Sequence, residues 1–527
     1  MENLLYGYIK NRFIYVIIFL LFLSFVNYNH YYPWTTYDSE KYVFYLSAFF
    51  VLYFISSNAI KVVLNTNLLL LLLLLLCSIL SYPYYYFNQY FILFNIYLIN
   101  LIILCVALCN FHDENGKLLD GILISLVLAG ATSSILSIYQ WMDFSTEFFW
   151  LYKSTGSRVS ANLGQPNHLS TLLLLSVLSC IYFFNKFKII PVLFFIPILV
   201  FSLVLTQSRS AMIALIIITT ISCIKWRVLA NSIKLILFSL NFLYIIMAHF
   251  LSKIYEKNDV IGRINGGFER LAIWQDFFNV LPHIGLFGVG WKNIEYYQFQ
   301  YGENFSGYLS SYHNLLLDLI VVFGLFGAFF FIYIFIKLLL VFFRIENSND
   351  LIIFLMLSVL INHSLFEFPL FYSYFLFVFC VLYFSLEKKY SRYFFYLKIN
   401  KFIFYFISFL VIGLSFFYIQ NFEKNRIFYR TLYLGYCAEV ENKSIFFDEF
   451  ENLAIINCKN NISVNNIYYF ETALLRRPSS NNILKLIYFY HKIGEYEKRD
   501  SLLIKYNSRY IVQYSLDDVL KMKYYLK

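Results

Sequence analysis

Apolar runs of roughly 15 to 22 residues recur from Phe13 to about residue 419. A run of that length is what a helix needs to cross the hydrocarbon core of a bilayer. Because no water is available there to satisfy backbone N–H and C=O groups, a spanning segment must bond internally. The ten-residue alternating segments of an outer-membrane barrel are absent. The expected fold class is therefore an all-α polytopic membrane protein with about twelve to thirteen transmembrane helices. A chain that is 60% hydrophobic and 14% charged is not a soluble globular protein.

The first run, from Phe13 to Val26, follows Lys10 and Arg12, as in an uncleaved signal-anchor. Further runs lie near 42–57, 67–82, 90–109, 121–141, 167–184, 189–206, 210–224, 232–251, 313–336, 351–365, 369–386 and 402–419. The net charge of +10 invites a nucleic-acid reading, but its placement opposes one. With the N-terminus inside, alternate loops collect about sixteen Lys and Arg, against about four in the short loops of the other face. The inner set includes Lys225, Arg227, Lys234, Lys388, Lys389 and Lys401, and the outer set is Lys41, Lys153, Arg158 and Arg209. This bias sets orientation and places the long polar stretch outside. Four regions are expected: N-terminal transmembrane helices (1–251), a large outer loop (252–312), C-terminal transmembrane helices (313–419) and a soluble helical tail (420–527). The tail mixes charges of both signs, and its segment from Tyr468 to Tyr506 reads as a helical hairpin, generic or tetratricopeptide-like. Pro478 stops one helix, Ser479 to Asn482 supply caps, and Gly494 ends the next.

Ionisable groups at membrane depth are costly, so those near the outer ends of the runs call for a reason. Arg209, in LTQSRSAM, sits at a polar turn, where its guanidinium offers a fork suited to phosphate oxygens or anchors the turn at head groups. Arg263 and Arg270 lie two helical turns apart in the long loop. His313 follows Ser310, Ser311 and Tyr312 at the start of an apolar helix, the placing of a neutral general base. The segment RVSANLGQPNHLS brings Arg158, Asn162, Gln165, Asn167 and His168 to another outer helix end, with Pro166 suited to its first turn. The amides among them are expected to bind sugar hydroxyls or to cap the helix. Glu367, in NHSLFEFPLFYSYF, pairs with an arginine or contacts the acceptor. His249, His283 and His363 lack a comparable setting and read as structural. No metal-binding cluster and no cofactor motif is visible: Walker A, the Rossmann glycine fingerprint and HExxH are all missing. Six cysteines lie in or beside apolar runs as small hydrophobes, while Cys437 and Cys458 are placed to pair if the tail is in an oxidising compartment.

At these residues the chain resembles the bacterial O-antigen ligase and Wzy-polymerase superfamily, most closely its PglL-type protein O-oligosaccharyltransferases. HYYPWTTYDSE resembles the N-terminal signature of that branch, and ANLGQPNHLS its Asn-Leu-Gly-Gln-Pro-Asn block. SRSA resembles the ligase Ser-Arg turn, and RLAIWQDFFNVLPHIGLFGVGW the Arg–Trp segment ahead of Gly-Val-Gly. SYHNLLLDL is similar to the His-Asn block, and HSLFEFPLFYSYFL to the His-Ser-x-x-Glu-x-Pro-Leu block. The resemblance implies transfer of an oligosaccharide from undecaprenyl-diphosphate to a Ser or Thr hydroxyl of a pilin or another exported protein. It implies a bacterial inner membrane location with the site facing the periplasm. It places His313 on the essential histidine, Arg209 and Arg270 on the diphosphate-binding arginines and Gln165 on the branch glutamine. Tyr372 (or Tyr374) falls on a functional tyrosine. The partners implied are the lipid-linked glycan, the acceptor protein and the bilayer, with no nucleic acid and no cofactor. A Wzy-type polymerase or a ligase acting on lipid A-core keeps the chemistry with another acceptor. A lipid-linked glycan transporter places its polar residues near mid-bilayer instead.

Overall fold

The computed structural model describes residues 2–31, 34–56, 62–84, 88–113, 116–144, 148–152, 158–254, 260–391, 396–433 and 467–522. Those residues are predominantly helical, in keeping with the expected class. Among them six helices are long and apolar enough to cross a membrane: Tyr90–Asn110, Lys117–Trp141, Pro166–Phe187, Asn231–Phe250, Leu325–Arg344 and Lys401–Ile427. Five shorter apolar helices accompany them, including Phe13–Val26, Arg209–Ile224 and Ser348–Ser364. Cys437 and Cys458 lie outside the described residues.

The chain divides into two compact units. The first comprises Met1–Leu69, Ile102–Asn258 and Tyr333–Ser408. Its centre is the helix Pro166–Phe187, in which every residue from His168 to Phe183 is buried. The helices Lys117–Trp141, Phe195–Leu205 and Ser348–Ser364 pack around it. Small residues permit that close packing. The Ser176 hydroxyl donates to the Leu126 carbonyl at 2.7 Å, across a helix contact also lined by Gly130. The unit also holds a feature that hydropathy did not announce, a two-stranded antiparallel ladder pairing Val62–Asn65 with Tyr396–Ile399. Four-residue strands contributed by segments more than three hundred residues apart leave no local period to read.

The second unit comprises Leu70–Leu101, Asp259–Ile332 and Phe409–Lys527. Here the apolar run expected at 313–336 is split into Leu315–Phe323 and Leu325–Arg344. The break is at Gly324 (φ 64°), against the Gly285–Gly290 turn. A Cβ at Gly324 would lie 2.0 Å from the Leu286 carbonyl oxygen, and one at Gly288 (φ 79°) 2.3 Å from that of Val322. The peptides on either side bond directly, Val289 N–H to Val321 C=O at 2.9 Å and Leu325 N–H to Leu286 C=O at 3.2 Å. Only glycine fits two backbones this close. The tail's helices Ile467–Arg476, Ser480–Ile493 and Tyr496–Arg509 bury Phe470, Leu474, Ile483, Ile487 and Tyr506 together with Phe299 of the helix Ile294–Tyr301. Ser479 caps the second of them by accepting from Asn482 N–H, and Gly494 closes it in the left-handed region.

Candidate functional site

In the first unit, candidate residues from three separate sequence blocks are joined by side-chain hydrogen bonds. Asn167, on the first turn of the Pro166–Phe187 helix, is the hub. Its Oδ1 accepts from Arg158 Nη2 at 3.2 Å and from Ser208 Oγ at 2.9 Å, and its Nδ2 donates to Glu367 Oε1 at 3.2 Å. Arg158 Nε also donates to the Thr206 carbonyl at 2.7 Å. Ser208 in turn caps the Arg209–Ile224 helix by accepting from Ala211 N–H, so Arg209 is its first residue, with an exposed side chain. The preceding Gln207 is held at φ 48°, an unusual backbone state for a residue with a side chain. Asn362 Nδ2 donates to the Ser210 carbonyl at 3.0 Å and pins the same turn from the far side.

His168 is buried against Tyr372, ring centroids 4.6 Å apart, and 5.4 Å from His363. His363 is itself fully buried and bonded through Nδ1 to Thr171 Oγ1 at 2.7 Å, consistent with a structural role. Gln165 stands half-buried at the N-cap, and its side chain does not cap the helix. Asn162, offered by the sequence as a sugar ligand or a cap, is instead committed to the loop. It donates to the carbonyls of Val26 and Trp150 and accepts from Tyr152 N–H. Sequence reading passed over Gln140 altogether, although its amide bonds the backbone of Tyr152, Ser160 and Ala161 and shapes the whole ANLGQ turn.

The second unit holds Arg270 and His313. Arg270 lies on the helix Val260–Val280, one turn before Trp274, so the two share a face. Trp274 Nε1–H donates to the Tyr312 carbonyl at 3.1 Å and thereby ties the Arg270 helix to the residue before His313. Arg263 lies on the same helix, and its side chain is outside the described residues. His313 is half-buried with φ 52°. It does not open the following helix as expected. Asn314 is the N-cap, its Oδ1 accepting from Leu316 N–H at 3.0 Å, and the helix begins at Leu315. His313 therefore stands just outside the helix, with its backbone in the left-handed region.

The same helix carries Asp276, which the sequence reading did not single out. Its fully buried carboxylate accepts from Glu303 N–H at 2.7 Å, Asn304 N–H at 2.6 Å and Gln298 Nε2 at 3.0 Å. Arg509, the last residue of a tail helix, reaches it at 3.4 Å. Burial pushes the Asp276 carboxyl up, but the N–H donors of Asn304 and Glu303, then Gln298 and Arg509, outweigh it and hold the group below the usual carboxylate range. A group depressed in the folded state stabilises fully above its unfolded pKa of about 3.9, and that contribution fades as pH falls below it. Asp276→Ala leaves Arg509 as an unpaired buried cation and is expected to cost about 3–5 kcal/mol at pH 7. Thermal unfolding in detergent checks this. The gap between wild type and Asp276→Asn should narrow below about pH 4, and an unchanged gap there would show that the carboxylate charge is not what the loop depends on.

Six helices long and apolar enough to cross a membrane among the described residues define a multi-pass membrane protein. Comparison with known proteins makes this specific. Residues 192–332 match the family described as O-antigen ligase, and residues 351–449 match the one described as virulence factor membrane-bound polymerase, C-terminal. The chain is also 30% identical over 310 residues to the ComP-specific O-oligosaccharyltransferase of Acinetobacter baylyi (strain ATCC 33305 / BD413 / ADP1), covering 55% of each chain. It is 29% identical over 265 residues to the general O-oligosaccharyltransferase of the same strain, covering 46% of each. The chain thus spans about half the length of the curated relatives it matches. These matches bear out the resemblance to the O-antigen ligase and Wzy superfamily and to its PglL-type O-oligosaccharyltransferases. The ligase match contains Arg209, Arg263, Arg270 and His313, and the polymerase match contains Glu367 and Tyr372.

Proposed function

We propose that this protein is a protein O-oligosaccharyltransferase of the bacterial inner membrane, working at its periplasmic face. The donor is an oligosaccharide on undecaprenyl-diphosphate, and the acceptor is a Ser or Thr hydroxyl of a pilin or another exported protein. The observation that carries the reading is the bond from Trp274 to the Tyr312 carbonyl, which ties the helix bearing Arg270 to the left-handed His313. The relatives' names support the class of reaction.

In this reading the acceptor oxygen attacks the anomeric carbon and the bond from that carbon to the diphosphate oxygen breaks. The lipid diphosphate leaves with the bonding pair. His313 takes the hydroxyl proton or orients the hydroxyl for attack. Arg270 and Arg209 bind the diphosphate and stabilise the charge that develops on it. Gln165, Asn167, His168, Arg158, Glu367 and Tyr372, with Arg263 of the outer loop, contribute to substrate binding. Asn167 does so chiefly by holding Arg158, Glu367 and the Arg209 turn in register.

The two family matches favour a second reading, an O-antigen polymerase or ligase that keeps these residues and changes the acceptor. Intact masses of exported glycoproteins, with and without the gene, separate the two when run beside the lipopolysaccharide ladder. Loss of a discrete glycan mass from protein with an intact ladder is the expected result. Unchanged protein masses with a shortened or uncapped ladder would replace the protein acceptor by a lipid-linked one.

A further inference from the structure

The strained backbone at His313 needs a cause. A left-handed conformation costs a residue with a Cβ about 1–2 kcal/mol, and it persists only where the surroundings fix it. Here the groups on both sides are bonded. Tyr312 N–H donates to Asp318 Oδ1 at 2.7 Å, and Ser311 Oγ–H donates to Asp318 Oδ2 at 2.6 Å. The Tyr312–His313 peptide is held at both ends, its carbonyl by Trp274 and its N–H by Ser311 Oγ at 2.9 Å. On the other side, Asp318 N–H donates to the Asn314 carbonyl at 2.9 Å. Asp318, one turn into the helix, therefore closes both flanks of His313. The carboxylate is fully buried, Ser311 is 2% exposed and the Tyr312 ring is fully buried. A buried carboxylate in so apolar a segment is expensive unless hydrogen-bonded, and the Ser311 hydroxyl and the Tyr312 N–H supply those bonds.

We propose that Asp318 is the positioning residue for His313. Through Ser311 and Tyr312 it holds the histidine backbone in the left-handed state and so sets where the imidazole stands. The proposal rests on the reading of His313 as the reacting group only for its functional meaning. The positional claim stands on its own measurement.

That measurement is the rate at which diethyl pyrocarbonate labels His313 in the full-length detergent-solubilised protein, read by mass spectrometry of the peptide that contains it. Amide hydrogen exchange over residues 311–314 is read alongside. Asp318→Ala removes both acceptors and is expected to raise the labelling rate at least threefold and to speed the exchange. Asp318→Asn keeps one acceptor oxygen for Tyr312 N–H and should return towards wild type, whereas Asp318→Leu fills the space without an acceptor and should label like Asp318→Ala. Wild-type labelling in a folded Asp318→Leu protein would reduce Asp318 to a space-filling residue and overturn the proposal. Should Asp318→Ala not accumulate, Ser311→Ala tests the same link, because it removes the acceptor for His313 N–H and one donor to Asp318. Wild-type labelling and exchange in a folded Asp318→Ala or Ser311→Ala protein would overturn the proposal. Transfer activity of His313→Ala, measured separately, decides the functional reading. An active His313→Ala protein with altered labelling in Asp318→Ala would sink the chemistry and leave the positioning intact.

Discussion

Replacing His313 by alanine is expected to abolish glycan transfer while the protein still reaches the membrane at wild-type level. The backbone makes this a clean substitution. At φ 52° histidine and alanine both carry a Cβ into the left-handed region, so the strain is nearly unchanged. The bonds described for the turn, among Ser311, Tyr312, the His313 N–H, Asn314, Asp318 and Trp274, run through backbone groups and the side chains of the neighbours, and alanine keeps them. What is lost is the ring. A positioned general base contributes about 10²–10⁴-fold, which in a slow membrane reaction brings transfer to background. His313→Gly provides the opposite control. Glycine relieves the strain, so that variant should unfold at a higher temperature and still be inactive. The glycosylated fraction of exported protein in cells carrying each variant is the readout. Retained glycosylation in either would remove His313 from the chemistry.

What the sequence made legible follows from the range of the interactions involved. Helical runs, the Ser479 cap and the Gly494 stop are local, and each was readable from a few residues. The cationic and imidazole candidates were readable because such groups near a bilayer demand a reason. The buried carboxylates Asp276 and Asp318 were not. Asp318 sits in an otherwise apolar segment and Asp276 in an amphipathic one, and each needed partners that declared themselves only in three dimensions. The partner of Asp276 is Arg509, 233 residues away in the tail. The break at Gly324 escaped hydropathy for a related reason. The residues on either side are apolar, and the cause is a backbone contact from the Leu286 turn. Asn162 was legible as important and misread in role, because a buried amide that shapes a loop and an exposed one that binds sugar are the same residue in sequence.

Arg270→Lys is the second large effect expected, and it separates a fork from a charge. Lysine keeps the positive charge and much of the reach, so an anchor at the membrane surface would tolerate it. A guanidinium that meets two oxygens of a leaving diphosphate would not be replaced, because an ammonium is a point charge without the planar pair of donors. Removing a donor aimed at developing charge costs about 10²–10³ in turnover. The loss should fall on kcat, with KM for the lipid-linked donor little changed, since the bond strengthens as the diphosphate departs. Steady-state transfer with purified enzyme and donor measures both. The Trp274 bond to Tyr312 fixes the helix that carries Arg270, so the variant should leave the His313 turn in place, and His313 labelling should match wild type. A rise in KM with unchanged kcat would make Arg270 a ground-state binding group. Near wild-type kinetics would reduce it to an interfacial anchor and leave Arg209, at the capped turn held by Ser208 and Asn167, as the arginine on which the diphosphate depends.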